Sequence, residues 1–134
     1  VAAAIARGAL NIIAPDLGAA NEVGINGAKP EWRASAPLIW NLRDWTVRLR
    51  DDYIDSVRAG AYADGRPYVV ASTQRWALSV KKEFHAGVLQ GTAVEVGARN
   101  LFNKEPPLNA SGNYLSALHE TYGRYLHLGI SKNW

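Results

Sequence analysis

The sequence contains no cysteine and no methionine. Without cysteine, disulfide bonds and thiolate chemistry are excluded. Because the initiator methionine is also missing, Val1 is not expected to be a biological start, and the chain is interpreted as a fragment. No basic segment followed by an apolar core precedes the first strands, so any export signal is expected upstream.

Long hydrophobic runs are absent as well, and the excess of positive charge is small. No stretch of about 18 apolar residues occurs, which excludes a spanning helix, whereas a spanning β-strand needs only about 9–11 residues. The formal net charge is +3 and charged residues make up 20% of the chain, so neither a disordered tail nor a nucleic-acid-binding arm is predicted.

The most regular segment is the last one, which reads GRYLHLGISKNW. Its residues alternate strictly, as in a half-buried β-strand. One face carries Leu126, Leu128, Ile130, Lys132 and Trp134. The other carries Tyr125, His127, Gly129, Ser131 and Asn133. A final strand of this kind that ends on an aromatic residue is typical of outer-membrane barrels, so lipid is the predicted solvent of its apolar face.

Alternation of apolar and polar residues predicts further strands within residues 32–41, 44–57, 72–84 and 91–101. Asp51 falls on an apolar face, and a bulge near it would repair the register. Residues 1–13 are alanine-rich and suit a helix as well as a strand, so only their neighbours favour a strand. The second face of each strand is too charged for a sealed core.

The connections between these strands alternate between long and short, as outer loops and periplasmic turns do in membrane barrels. The long ones are Pro15–Glu31, Ala59–Ala71 and Phe102–Tyr122, and the short ones are Leu42–Arg43 and His85–Gln90. The predicted fold is therefore all-β, with about six antiparallel up-and-down strands forming a segment of a large transmembrane β-barrel.

Aromatic residues are abundant, with five Trp and six Tyr. Those near predicted strand ends suit girdles at the two headgroup layers, and they are Trp32, Trp40, Trp45, Trp76 and Tyr122. The alternative is that they pack the core of a soluble β-sandwich that binds a ligand. The charged second face of the same strands favours the membrane interpretation.

Four motifs, in this order, resemble a known family: PEWRAS at Pro30–Ser35, YIDS at Tyr53–Ser56, VGARNLFNKEPP at Val96–Pro107, and the final GRYLHLGISKNW. Together they resemble the carboxyl-terminal part of TonB-dependent outer-membrane receptors. That resemblance implies a Gram-negative outer-membrane protein whose barrel of about 22 strands surrounds a plug. It implies active uptake of a nutrient such as a ferric siderophore, cobalamin or a carbohydrate.

The resemblance also implies partners. They are the remainder of the barrel and its plug, outer-membrane lipid and lipopolysaccharide, and the barrel-assembly machinery. The TonB complex would be contacted only through upstream segments, because the plug and TonB box have no counterpart here. In the family's terms the assembly signal is Tyr125, Leu126, Leu128, Ile130 and Trp134. The family usually ends in Phe and often has an aromatic residue where Lys132 stands.

Other kinds of site have weak support. The longest loop is the place for an extracellular ligand, with Asn109, Asn113 and Tyr114 as candidate contacts. The three histidines have no metal-ligand spacing, and no nucleophile elbow or phosphate loop occurs, so neither an enzyme nor a cofactor is predicted. A passive porin-like barrel and a soluble β-sandwich remain the alternatives.

Overall fold

The chain folds into β-strands that pair mainly in antiparallel fashion, as the sequence predicts. The computed structural model describes residues 5–8, 10–13, 22–24, 27–116 and 118–133. The strands are β1 (Ile5–Gly8), β2 (Asn11–Ile13), β3 (Glu22–Gly24), β4 (Gly27–Lys29), β5 (Arg33–Leu42), β6 (Trp45–Ile54), β7 (Val57–Ala61), β8 (Pro67–Val70), β9 (Thr73–Phe84), β10 (Thr92–Arg99) and β11 (Tyr125–Lys132). Within these residues the only helical segment is the 3-10 turn Gly87–Leu89.

Seven strands form the main sheet, in the order β1-β5-β6-β9-β10-β11, with β2 also paired to β5. From β5 onward the strands are antiparallel neighbours in an up-and-down order. Strand β11 pairs only with β10 in the part of the chain that is described, so its second edge is open. The sheet is therefore not closed on itself.

A second sheet forms where the sequence analysis expected long loops. Its strand order is β4-β3-β7-β8, and one parallel bridge joins β3 to β7. The prediction of an irregular loop over Ala59–Ala71 is wrong, because β7 and β8 form a hairpin there. Gly65, with φ 80°, lies in its tight turn, and the Tyr62 amide donates to the Arg66 carbonyl at 2.8 Å. The loop Pro15–Glu31 likewise contains β3 and β4.

The bulge expected at Asp51 is absent. Strand β6 pairs from Trp45 to Ile54 with both β5 and β9 without a shift in register. Asp51 therefore stays on the same side of the sheet as its neighbour Trp76, and one carboxylate oxygen accepts a hydrogen bond from Gln74 Nε2 at 2.7 Å. The other carboxylate oxygen, Oδ1, is buried and has no hydrogen-bond partner among the described residues.

The buried core is small and lies at the long-loop end of the sheet. Val57, Val70 and Leu118 form it, and Ile54, Ala59, Tyr68 and Leu115 pack around it. It joins the β7–β8 hairpin to the connection between β10 and β11. The main sheet contrasts with it, since Leu126, Leu128 and Ile130 of β11 are 69%, 67% and 69% exposed.

Candidate functional site

The register of the main sheet aligns apolar side chains in rows that cross five strands. One row consists of Trp40, Val47, Val80, Val96 and Leu128. The row beside it consists of Leu38, Leu49, Leu78, Ala98 and Leu126. We call the side of the sheet that bears these two rows, together with Trp45 and Ile130, the apolar face. The apolar face extends over five consecutive strands, and a contiguous apolar surface of this kind is typical of a site that contacts an apolar medium or partner.

The opposite side of the same strands, the polar face, carries ion pairs. Glu95 of β10 lies 3.3 Å from Arg48 of β6 and 3.7 Å from His127 of β11. Along single strands, Arg50 pairs with Asp52 at 2.8 Å and Lys81 with Glu83 at 2.6 Å. These side chains remain partly exposed, so each pair contributes little to stability and the face remains compatible with water.

The five aromatic residues predicted as girdles occupy different places. Trp40 and Trp45 lie near the short turn between β5 and β6, and Trp76 lies further toward the long loops, opposite Asp51. Trp32 precedes β5, where its carbonyl accepts from the Asp55 amide at 3.0 Å. The Lys82 ammonium lies 4.4 Å from the ring centre of Trp45, a cation–π contact that lets a lysine sit on the apolar face.

Four of the five predicted assembly-signal residues lie along β11. Leu126, Leu128 and Ile130 are on the apolar face, and Tyr125 is on the polar face opposite Arg99. Trp134 is outside the described residues. The fifth girdle residue, Tyr122, precedes β11 and lines a cleft on the polar face with Tyr125.

The three candidate ligand residues lie in a turn at the tip of the longest loop. Leu108 and Tyr114 form a β-bridge, and between them the Asn109 side-chain oxygen accepts from the amides of Ser111 and Asn113 at 2.9 and 3.0 Å. The Asn109 side chain is therefore used to hold the turn. Asn113 and Tyr114 are exposed at its surface.

Anchors that the sequence analysis missed fix this loop to the sheet. The Asn100 side chain exchanges two hydrogen bonds with the Lys104 backbone, at 2.8 and 2.7 Å. Arg75 of β9 donates to the Glu120 carbonyl, and Thr73 shares a 3.0 Å hydrogen bond with Nδ1 of the buried His119. Asparagine in a loop gives only a weak turn signal, so the sequence predicted the loop but not its anchors.

Acidification should weaken the His119 anchor. Burial, and then the positive charges of Arg75 and Arg33, lower the pKa of the His119 imidazole below its ordinary value of 6.5. The docked loop therefore holds a neutral imidazole, whereas a detached loop takes up a proton as the pH falls below 6.5. The anchor has its full strength above that pH and loses strength progressively below it.

Amide hydrogen exchange of residues 118–120 checks this prediction, with protection factors compared at about pH 7.5 and about pH 5. We expect protection to fall at the lower pH, and His119→Gln to remove the difference. His85→Gln is the matched control, since the His85 side chain is 65% exposed and lies in the opposite turn. Equal protection of the unsubstituted protein at both pH values would contradict the prediction.

The structure also brings Arg99 and Tyr122 together with Tyr125 and His127, the two residues that alternation places on one face of the last strand. Arg99, Tyr122, Tyr125 and His127 line a cleft of about 490 Å³ on the polar face, where β10 ends and β11 begins. A smaller hollow of about 300 Å³ on the apolar face is lined by Trp40, Leu42, Trp45 and Val47. Within the described ranges, no group of three or more acidic or histidine side chains is arranged to hold a metal ion.

Comparisons with protein-family models, with curated proteins and with solved structures find no match to this chain. The residues that the structure describes include no helix of the length and apolar character needed to span a membrane.

Proposed function

We propose that this chain forms part of the barrel wall and of the outer loops of a TonB-dependent receptor in the outer membrane of a Gram-negative bacterium. In this proposal the apolar face contacts lipid and the polar face lines the lumen beside the plug. The chain contributes to active uptake of a nutrient and catalyses no reaction. The loop connecting β10 to β11 faces the cell exterior.

One observation carries the proposal: the two faces of the main sheet need different surroundings. Leu128 and Ile130 are 67% and 69% exposed, and Val96 beside Leu128 is 56% exposed. A soluble monomer rarely exposes a contiguous apolar patch of more than a few hundred Å². The ion-paired polar face is suited to water, so lipid outside and water inside satisfy both faces at once.

Among the described residues no strand pairs with the second edge of β11, and this supports the same proposal. An unpaired edge next to an apolar face promotes aggregation in water, and barrel closure removes it. In the soluble β-sandwich alternative, a second layer has to cover the apolar face. The β3, β4, β7 and β8 sheet is the only second sheet among the described residues, and its buried cluster at Val57 and Val70 lies at one end of the main sheet.

Lipid contact is testable by fluorescence, because the chain has no cysteine that would compete with an introduced one. We expect a bimane label on Leu128→Cys to be quenched by lipids with brominated acyl chains. The control is Gly129→Cys, one residue away on the polar face, where quenching should be weak. Equal quenching at both positions, or a monomeric protein in detergent-free buffer, would contradict the proposal.

Dependence on energy coupling separates the receptor from a passive porin. Uptake by a receptor should stop when the cell lacks the inner-membrane TonB complex. Uptake that continues at the same rate in such cells would favour the porin. The nutrient can be identified by comparing growth of cells with and without the gene on single nutrient sources.

A further inference from the structure

We infer that the cleft between β10 and β11 binds a small ligand in which a flat aromatic ring carries a carboxylate. Arg99, Tyr122, Tyr125 and His127 line it, and its volume of about 490 Å³ suits a small molecule. The inference rests on the proposed function only in placing the cleft on the lumen side of a barrel wall. The ligand chemistry follows from the side chains themselves.

The charge in the cleft comes from Arg99, which differs from three other cations of the polar face. Arg48, Arg50 and Lys81 each lie beside a carboxylate, at 3.3, 2.8 and 2.6 Å. Among the described residues, none forms an ion pair with Arg99. A guanidinium left unpaired in a cleft is suited to bidentate binding of a carboxylate from a ligand.

The ring-binding surface comes from Tyr125 and His127. Their ring centres are 6.4 Å apart and their planes differ by 20°, so they present nearly parallel faces along β11. The His127 ring lies over Gly97, where a Cβ atom would come within 2.6 Å of its Nε2 atom. Gly97 therefore leaves room for this ring orientation. Parallel aromatic faces beside a cation favour a flat, anionic ligand over a flexible one.

A hydrogen bond joins the two ends of the loop that contains the fourth residue, Tyr122. The Arg124 amide donates to the Asn103 side-chain oxygen at 2.8 Å. Asn103 itself has φ 53°, and a Cβ atom on Gly123 would lie 2.7 Å from that oxygen. Both ends of the loop are thus fastened together next to Tyr122. This hydrogen bond restrains the loop beside the cleft, which lowers the entropy cost of ordering that loop when a ligand binds.

Glu95 is an acidic group beside the cleft residue His127, and it already has a cationic partner in Arg48. One of its oxygens lies 3.7 Å from His127 Nε2, and the other lies 3.3 Å from Arg48. Because Glu95 already pairs with Arg48, Arg99 is the cation of the cleft lining that has no carboxylate partner among the described residues. An anion is therefore preferred over a neutral or cationic molecule of the same shape.

Calorimetric titration of the purified protein tests the inference with three probes: 2-naphthoate, its neutral analogue 2-naphthamide, and acetate. We expect naphthoate to bind most tightly, because it alone combines the ring and the charge. Arg99→Gln should weaken naphthoate binding roughly ten-fold while leaving naphthamide unchanged. Arg99→Lys, which keeps the charge, should lose less, and Tyr125→Leu should weaken both ring-bearing probes.

Arg50→Gln is the matched control, since Arg50 is on the same face but pairs with Asp52. Its naphthoate affinity should equal that of the unsubstituted protein. Equal affinities for naphthoate and naphthamide, absence of naphthoate binding, or full affinity in a folded Arg99→Gln variant would overturn the inference. The cell fraction from which the protein is purified reports separately on the proposed function, so either idea can fail without the other.

Discussion

Replacing Leu128 with arginine should destabilise the folded protein in a bilayer by about 2–4 kcal/mol, the cost of a lipid-facing arginine near the midplane. Leu128 is in the middle of β11, between Leu126 and Ile130, and it pairs across the sheet with Val96. All four side chains belong to the apolar face. In lipid, the guanidinium would have no water or carboxylate within reach at this depth.

The size of this effect depends on which solvent covers the apolar face. Leu128 is 67% exposed, and a surface substitution in water usually changes stability by no more than about 0.5 kcal/mol. The same substitution is therefore strongly destabilising in lipid and nearly neutral in water. This contrast distinguishes a barrel wall from an exposed soluble sheet.

Gly129→Arg is the control at the same depth on the other face. Gly129 pairs with Glu95, and a Cβ atom added to Gly129 would have its nearest non-local neighbour 3.9 Å away, so a side chain fits there. Urea unfolding in lipid vesicles, followed by tryptophan fluorescence, measures both variants. A Leu128→Arg variant as stable as the Gly129→Arg variant would contradict the assignment of lipid to the apolar face.

Strands β5, β6, β9, β10 and β11 of the main sheet could be predicted because each spans eight or more residues. The segment 72–84 was expected and β9 spans Thr73–Phe84, and the segment 91–101 contains β10, Thr92–Arg99. A period of two gives the face of each residue directly. The physical reason is that successive side chains of a strand point to opposite faces, so a strand with two different surroundings alternates between apolar and polar residues.

The β7–β8 hairpin could not be predicted in the same way. Strand β7 reads VRAGA, in which two alanines and a glycine have low strand propensity. The hairpin is stabilised by burial of Val57 and Val70 against Leu118, which is far away in the sequence. Contacts of this kind depend on tertiary packing, so they cannot be inferred from the local alternation of apolar and polar residues.

The polar cleft illustrates a second limit of sequence analysis. Alternation predicted correctly that Tyr125 and His127 share a face of β11. It did not predict that Arg99 lies opposite Tyr125, because the register of two strands depends on their connection as well as on their faces. Tyr122 lies in the connection before β11, whose two ends are joined by the hydrogen bond between the Arg124 amide and the Asn103 side chain. The residues that lie next to each other on neighbouring strands could therefore be identified only from the structure.

Replacing Gly91 with alanine should destabilise the protein by about 2–5 kcal/mol, the sum of backbone strain and steric overlap. Gly91 has φ 75°, a region that residues with a Cβ atom rarely adopt. Its amide donates to the Phe84 carbonyl and its carbonyl accepts from the Asn133 amide, both at 2.9 Å. A Cβ atom would overlap the Asn133 carbonyl oxygen, so the backbone at the end of β11 would have to move.

Gly87→Ala is the matched control, because Gly87 is in the same turn with φ 70° and no atom within 4 Å of its Cβ position. It should cost only the strain, about 1–2 kcal/mol. The difference between the variants therefore isolates the fit of the final strand against the turn. Urea unfolding measures both, and the midpoint should fall further for Gly91→Ala. Equal losses in the two variants would show that backbone strain alone is responsible, and that the contact with Asn133 adds nothing to the attachment of β11.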